Sequence, residues 1–242
     1  MKIVGIIPAR FSSTRFPGKP LAKILDKPMI QWVYEGAKKS KTLEALIVAT
    51  DSQQIYDRVK NFGGEVFLTL REHQSGTSRV AEVAEQLDVE IVVNVQGDEP
   101  LISPSAIDEA VKPLLTDPII YMTTLKHKLT DQTELSNPNV VKIVTDKDDF
   151  ALYFSRSPIP FFRHQFHYEN YKHIGLYVYR KDFLLKLVQL PATPLEQTEG
   201  LEQLRVLENG YKIKVVETEY LSIGVDTEDD LEKVRKQVIS NW

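Results

Sequence analysis

Apolar and polar positions fall in alternating blocks along the first half of this chain. Residues 3–7, 45–49 and 66–69 are apolar runs, and 90–95, built around Ile91-Val92-Val93, is a fourth. Runs without a polar face predict strands buried on both sides. Between them the period lengthens. Residues 28–38 place Met29, Trp32, Val33 and Ala37 on one helical face, opened by a proline. Further helices are predicted over 52–61, stopping at Gly63-Gly64, over 77–87, and over 103–115 with Ser103 as N-cap and Pro104 at the first position. Apolar strands separated by helices predict a parallel sheet covered on both faces.

After Leu115 the pattern changes. Residues 119–125, 140–145 and 151–155 are β-like with no helix expected between them, and 161–171 reads as a surface loop rich in aromatics and histidine. A strand is predicted over 174–179, a helix from there to about 189, and a longer helix over 194–209 ended by Gly210. Residues 212–217 predict a strand and 228–239 a closing helix. No repeat, linker or low-complexity tract interrupts the chain. The expected fold is α/β: a Rossmann-like, mostly parallel sheet with helices on both faces and an inserted β arm. Residues 1–242 form one domain in this reading, with 116–180 as a sub-lobe.

Composition narrows the function. A net charge of −4 and a pI near 5.8 argue against a nucleic-acid partner, which calls for a broad basic face. The absence of cysteine excludes disulfides and thiolate metal sites and suits a reducing compartment. The apolar run before Pro8 is too short for a secretory signal and no later run approaches a membrane span, so a soluble, cytoplasmic protein without a membrane partner is expected.

Positive charge is concentrated locally. Lys2, Arg10, Arg15, Lys19 and Lys23 all precede the first acid, Asp26, and three of them lie in the loop Ala9-Arg10-Phe11-Ser12-Ser13-Thr14-Arg15-Phe16-Pro17-Gly18-Lys19-Pro20. Arginine offers a fork matched to phosphate oxygens and lysine a point charge. The loop follows a strand, where open α/β sheets bind ligands, so a polyphosphate site competes here with a solvated surface loop. It is not a Walker loop, because Gly18-Lys19 is followed by proline and Ser13 stands where the first glycine belongs. No G-x-G-x-x-G occurs anywhere.

The acids are ambiguous on their own. Asp98, in Val93-Asn94-Val95-Gln96-Gly97-Asp98-Glu99-Pro100, follows the most buried strand and reads equally as a Mg²⁺ ligand or as turn chemistry. Asp226, in Ile223-Gly224-Val225-Asp226-Thr227-Glu228-Asp229-Asp230, could meet Asp98 at one ion. Capping is the simpler account, with Thr227 and Asp230 close to a capping box and Asp226 a possible N-cap. Arg156, breaking out of the aromatic run Tyr153-Phe154-Ser155, suits either a forked carboxylate contact or a structural ion pair. His164 and His167 have a spacing that zinc could use, but no third ligand is in view. Gln203 lies on a largely amphipathic stretch.

Taken in order, these motifs have a resemblance. Ile6-Ile7-Pro8-Ala9-Arg10 through Arg15-Phe16-Pro17-Gly18-Lys19-Pro20-Leu21 is similar to the nucleotide-binding signature of the sugar-acid cytidylyltransferases. Gln74-Ser75-Gly76-Thr77-Ser78-Arg79, Asn94 through Pro100, Tyr153-Phe154-Ser155-Arg156, His173-Ile174-Gly175-Leu176-Tyr177, Leu201-Glu202-Gln203-Leu204-Arg205 and Gly224-Val225-Asp226-Thr227 resemble the 3-deoxy-manno-octulosonate (Kdo) cytidylyltransferases, over nearly the whole chain. The resemblance implies a nucleotide-diphospho-sugar transferase-like fold and a Mg²⁺-dependent reaction in which CTP and Kdo give CMP-Kdo and pyrophosphate, for lipopolysaccharide synthesis. By it, Pro8, Ala9, Arg10, Ser13, Arg15, Lys19, Ser75, Gly76 and Arg79 bind the nucleotide. Asp98 and Asp226 hold the metal and, with Arg10, are catalytic. Gln96, Arg156, His173, Tyr177, Glu202 and Gln203 form the sugar-acid pocket. The 116–180 sub-lobe, with Tyr153, Phe154, Phe161, Phe162 and Tyr168, is the expected surface of a homodimer.

Overall fold

The computed structural model describes residues 1–12, 16–71, 73–164 and 168–240. In chain order the elements are strands β1 (Ile3–Ala9), β2 (Lys23–Ile24) and β3 (Lys27–Pro28), helix α1 (Met29–Ala37), β4 (Ala45–Thr50), α2 (Gln53–Asn61), β5 (Glu65–Leu68), α3 (Gly76–Glu85), β6 (Ile91–Asn94) and α4 (Pro104–Thr116). There follow β7 (Met122–Lys128), α5 (Gln132–Ser136), β8 (Lys142–Thr145), β9 (Ala151–Ser155), β10 (Tyr171–Arg180), α6 (Lys181–Leu187), α7 (Pro194–Glu199), α8 (Gln203–Glu208), β11 (Lys214–Glu217) and α9 (Glu228–Ser240). The chain is α/β and divides into two compact units, Met1–Asp108 with the C-terminal stretch from Leu221, and Glu109–Tyr220.

In the first unit the apolar runs pair as predicted. β1 lies between β4 and β6, β5 pairs with β4, and every pairing is parallel. Ile6, Ile7, Val48, Ile91, Val92 and Val93 are fully buried, which explains their unbroken apolar sequence. Strands that run the same way end on the same side, so the residues after β1 and after β6 emerge together. A separate apolar cluster of Ile24, Met29, Val225, Leu231, Val234 and Val238 seats α9.

The second unit is built from hairpins. β7 pairs antiparallel with β10, β8 with β9 and β10, while β11 lies parallel to β7. It extends past 116–180 because α6 to α8 and β11 belong to the same compact unit. Two local expectations are corrected. The β-like stretch contains a short helix, α5, whose N-cap Asp131 accepts the Thr133 N–H at 2.8 Å. The single helix over 194–209 is two, because Gly200 caps α7 with a left-handed φ of 64°. Arg205 Nε then donates to Glu196 Oε2 at 2.7 Å, fastening α8 back onto α7.

Asp108 is a fixed point in the first unit. Its Oδ1 accepts from the hydroxyls of Ser40 (2.6 Å) and Thr42 (2.8 Å) and from the N–H groups of Lys41 and Thr42, both at 3.0 Å. Burial pushes this carboxyl up, but the hydroxyl and N–H donors outweigh it and hold it below the usual aspartate range. A depressed carboxylate stabilises the fold above its unfolded pKa and loses that contribution as pH falls through the folded value. Asp108→Asn should therefore melt below wild type at pH 7, and the gap should close under acid. Paired thermal melts at the two pH values would show it; a gap that persists at low pH would contradict the assignment.

Candidate active site

The parallel register brings Pro8 of β1 beside the chain leaving β6. Val95 N–H donates to the Ile6 carbonyl at 3.0 Å, and two residues later Gly97 runs so close that a Cβ there would lie 2.6 Å from the Pro8 carbonyl. Gly76, first residue of α3, approaches the Pro8 ring from another side, with a Cβ position 3.3 Å away. These approaches shape a cavity of about 290 Å³. It is lined by Pro8, Ala9, Arg10, Lys19, Pro20, His73, Gln74, Ser75, Gly76, Arg79, Gln96, Gly97, Asp98 and Asp226.

Lys19 stands at its centre of charge. Its Nζ donates to Asp98 Oδ2 at 2.7 Å and to Asp226 Oδ1 at 3.3 Å. The two acids, far apart in sequence, are joined through the backbone as well, since Val225 N–H donates to the Asp98 carbonyl at 2.9 Å. Val225 is fully buried in the cluster that seats α9, so Asp226 is delivered by a packed neighbour. Thr227 takes the capping role: its hydroxyl donates to Asp230 Oδ2 at 2.8 Å and accepts the Asp230 N–H at 3.3 Å. Asp226 is thus not the cap of α9, and its carboxylate reaches Lys19.

Whether these residues suit Mg²⁺ can be tested on the ammonium, which is a stand-in cation. Two carboxylate oxygens converge on one positive centre, and hard oxygen donors are what Mg²⁺ selects. Among the described residues no group of three or more metal-binding side chains converges anywhere. A pair is nonetheless the fitting number, since Mg²⁺ takes one or two carboxylates and completes its shell with water and substrate phosphate.

The wall opposite is rigid. Ser75 caps α3, its Oγ accepting the Ser78 N–H at 3.1 Å. Arg79 is buried, and its guanidinium donates to Asp51 at 2.9 Å, to the Leu70 carbonyl at 3.3 Å and to the Thr69 hydroxyl. His73, whose part in the lining the sequence reading missed, is paired with Glu82 of α3. Only its adjacency to Gln74-Ser75-Gly76 could have pointed to it. Ser13 and Arg15 lie outside the described residues, as does His167.

Of the residues expected to bind the sugar, Gln96 lines the cavity and the other five belong to the second unit. A register shift in β10 between Ile174 and Tyr177 turns that stretch, and Thr124 Oγ1 lies 2.9 Å from the Leu176 carbonyl and 2.8 Å from His173 Nε2. A hydroxyl has one proton to give, so with it on the carbonyl the Thr124 oxygen accepts from His173 Nε2–H. The rings of His173 and Tyr177 sit 5.4 Å apart. Burial lowers the imidazole to about 3, keeping it neutral, and burial raises the Tyr177 phenol, with the Glu202 carboxylate adding to the rise. Gln203 is buried at the start of α8. Arg156 turns its guanidinium to main-chain carbonyls, Nε to Glu199 at 2.7 Å and Nη1 to Pro138 at 2.9 Å. Among the described residues the guanidinium makes neither the carboxylate fork nor the structural ion pair that its sequence leaves open.

A family model for cytidylyltransferases matches residues 4–213. A protein of Solibacter usitatus (strain Ellin6076) named 3-deoxy-manno-octulosonate cytidylyltransferase is 57% identical over 236 residues, 97% of this chain and 94% of its own. One of the same name from Geotalea uraniireducens (strain Rf4) is 55% identical over 249 residues, 98% of this chain and 99% of its own. This chain belongs to the 3-deoxy-manno-octulosonate cytidylyltransferase family. A solved structure of CMP:2-keto-3-deoxy-manno-octonic acid synthetase complexed with CTP matches with a TM-score of 0.96 and 41% identity, covering all of both chains. The fold of this family member is therefore that of a nucleotide-diphospho-sugar transferase.

The approach of Gly97 to Pro8 gives the first check on the cavity. An added methyl at 97 presses on backbone, which cannot swing aside. Gly97→Ala should cost about 1–3 kcal/mol, in the range of overpacked cores. Gly224→Ala, where a Cβ meets nothing within 4 Å, should be near neutral. Thermal denaturation of the two variants reads the difference, and equal melting temperatures would refute the close approach.

Proposed function

We propose that the chain transfers CMP from CTP to the anomeric hydroxyl of Kdo, giving CMP-Kdo and pyrophosphate for lipopolysaccharide synthesis. A bond forms between the sugar oxygen and the α-phosphorus, the bond to the pyrophosphate oxygen breaks, and the hydroxyl proton is released. The observation that carries this reading is the convergence of Lys19, Asp98 and Asp226 in a cavity also lined by Arg10 and by two close-approaching glycines. Such a site holds donors for phosphate oxygens and hard anionic ligands within one cavity. Arg10, Arg15 and Lys19 are proposed to neutralise charge moving onto pyrophosphate. Pro8, Ala9, Ser13, Ser75, Gly76 and Arg79 complete the nucleotide side.

Asp98 and Asp226 are proposed to hold Mg²⁺, whose chemistry here would be to lower the pKa of the attacking hydroxyl and screen its approach to an anionic phosphate. Gln96, Arg156, His173, Tyr177, Glu202 and Gln203 are proposed to recognise the sugar acid. A neutral His173 acts in this as a hydrogen-bonding and packing surface, not as a proton carrier at neutral pH. The reading places the enzyme in the cytoplasm, where CTP is supplied. No described helix is long and apolar enough to cross a membrane.

A homodimer is proposed as well. Phe161 is 88% exposed and Leu152 61%, large apolar side chains of the kind an interface would cover. Phe154, expected in that surface, is instead fully buried, its ring nearly perpendicular to that of His173 with centroids 5.0 Å apart. A single monomeric species in sedimentation at working concentration would discard the dimer.

Pyrophosphate release from CTP, other nucleoside triphosphates and a panel of 2-keto sugar acids tests the reaction itself. Asp98→Asn and Asp226→Asn should each lower turnover by at least about a hundredfold, in line with loss of a group that acts on developing charge, while melting close to wild type. Near-wild-type kinetics at limiting Mg²⁺ would remove that residue from the site. Arg15→Ala should chiefly weaken CTP binding, and an unchanged affinity by calorimetry would contradict the loop's assignment.

A further inference from the structure

We infer that Lys19 is an internal counter-cation: it holds the Asp98–Asp226 pair against a divalent metal until a nucleoside triphosphate draws its ammonium away. This inference rests on the reading of those two acids as metal ligands. Three observations carry it. First, a single Nζ contacts both carboxylates, at 2.7 and 3.3 Å, so the ammonium sits where both acids would offer oxygens to an ion. Second, the Lys19 side chain is 14% exposed while those of Asp98 and Asp226 are 33% and 49% exposed. The acids keep an open side to solvent, but their shared focus is taken. Third, the backbone beneath the lysine is pinned, so any movement of the charge falls to the side-chain stem. Gly18, at a φ of 70°, donates its N–H to the Phe11 carbonyl at 2.9 Å, Leu21 N–H donates back to Gly18 at 2.8 Å, and Pro20 is buried. An ammonium on a flexible four-carbon stem can move while such a backbone stays.

Charge then dictates an exchange. The two carboxylates carry −2, and the Lys19 ammonium offsets one of those charges. Adding a divalent ion at the same focus would set it within a few ångströms of a like charge, which is unfavourable at any dielectric a protein offers. A triphosphate changes the balance, since its oxygens compete for the three N–H donors of Lys19 and its own charge attracts the metal. One ammonium cannot satisfy the carboxylates and a polyphosphate at once. Metal and nucleotide are accordingly coupled: each vacates or neutralises what the other needs, and the coupling is reciprocal in binding free energy.

The test uses the whole chain, with Mn²⁺ as probe, read by the electron paramagnetic resonance of the free ion in the absence of CTP. Lys19→Met keeps the stem's bulk and removes the charge, and should bind Mn²⁺ at least about tenfold more tightly than wild type, as release of a competing cation requires. Lys19→Gln is the second variant should the first fail to fold, and Lys19→Arg, which keeps the charge, should stay as weak as wild type. The gain should vanish in Lys19→Met combined with Asp98→Asn. Arg10→Gln, which removes an equal charge from the same cavity, should gain less. A metal-free arm completes the set: with EDTA present, Asp98→Asn should bind CTP more tightly than wild type by calorimetry, because Lys19 is released to the phosphates.

Mn²⁺ affinity that is unchanged or weaker in folded Lys19→Met or Lys19→Gln overturns the inference, as does an equal gain in Arg10→Gln. CTP and Mn²⁺ binding that ignores Asp98 and Asp226 altogether would instead overturn the functional reading beneath it.

Discussion

A Cβ at position 97 would lie 2.6 Å from the Pro8 carbonyl, and that lack of room organises the first unit. Because residue 97 has no side chain, the chain leaving β6 can run against the end of β1, and Asp98 emerges beside the loop that carries Lys19. The Asp98 carbonyl then accepts the Val225 N–H, while the Val225 side chain is buried with Met29, Leu231 and Val234. The neighbour of Val225 is Asp226. Three stretches distant in sequence, around 19, 98 and 226, are thus brought to one point by a close backbone contact, one hydrogen bond and one apolar anchor. None of the three charged side chains has to supply the energy that places it, which matters because exposed ion pairs contribute little to stability.

The sequence exposed this arrangement unevenly. Strands buried on both faces write themselves as unbroken apolar runs, so β1, β4 and β6 were legible to within a few residues; the run at β5 marked its place too, but that strand ends the sheet order and is half-buried or exposed throughout, not covered on both sides as its sequence predicts. The cationic loop was legible because its charge stands out against an acidic chain. Asp98 and Asp226 were not resolved by their own surroundings, since turn, cap and ligand draw on the same residue types. What separates them is tertiary: Thr227 satisfies Asp230 at the start of α9, and Asp226 meets Lys19 across more than two hundred residues. The break at Gly200 was hidden because the apolar period of Leu201, Leu204 and Val206 runs on past it, and only the left-handed backbone shows where one helix stops.

The second unit uses polar burial where the first uses close approach. Lys142 is fully buried, and its Nζ donates to the carbonyls of Asn137 at 2.9 Å, Val140 at 2.7 Å and Arg156. Burial lowers its pKa, and the nearby Glu199 carboxylate opposes that. Arg156 is fixed at its backbone by Lys142 and by Glu199, whose Oε2 accepts the Arg156 N–H at 2.9 Å, and at its side chain by carbonyls of the α7 terminus. A cation held at so many points has little freedom to adapt, so whatever it faces must fit it. The sequence offered Arg156 as a lone charge in an aromatic run; the surrounding carbonyls that immobilise it leave no mark in composition or period.

The choice of lysine at position 19 follows from the same contrast. Arginine would offer the two carboxylates a planar fork, suited to grip both oxygens at fixed geometry, and would give up more hydrogen bonds on leaving. An ammonium is a compact charge with rotatable donors on a flexible stem, and it bridges Asp98 and Asp226 at unequal distances, 2.7 and 3.3 Å. The lopsided bridge offsets the repulsion between two neighbouring acids. A compact charge on a four-carbon stem suits a bridge of unequal lengths better than a fixed fork, and the pinned backbone around Gly18 and Pro20 sets where that stem begins.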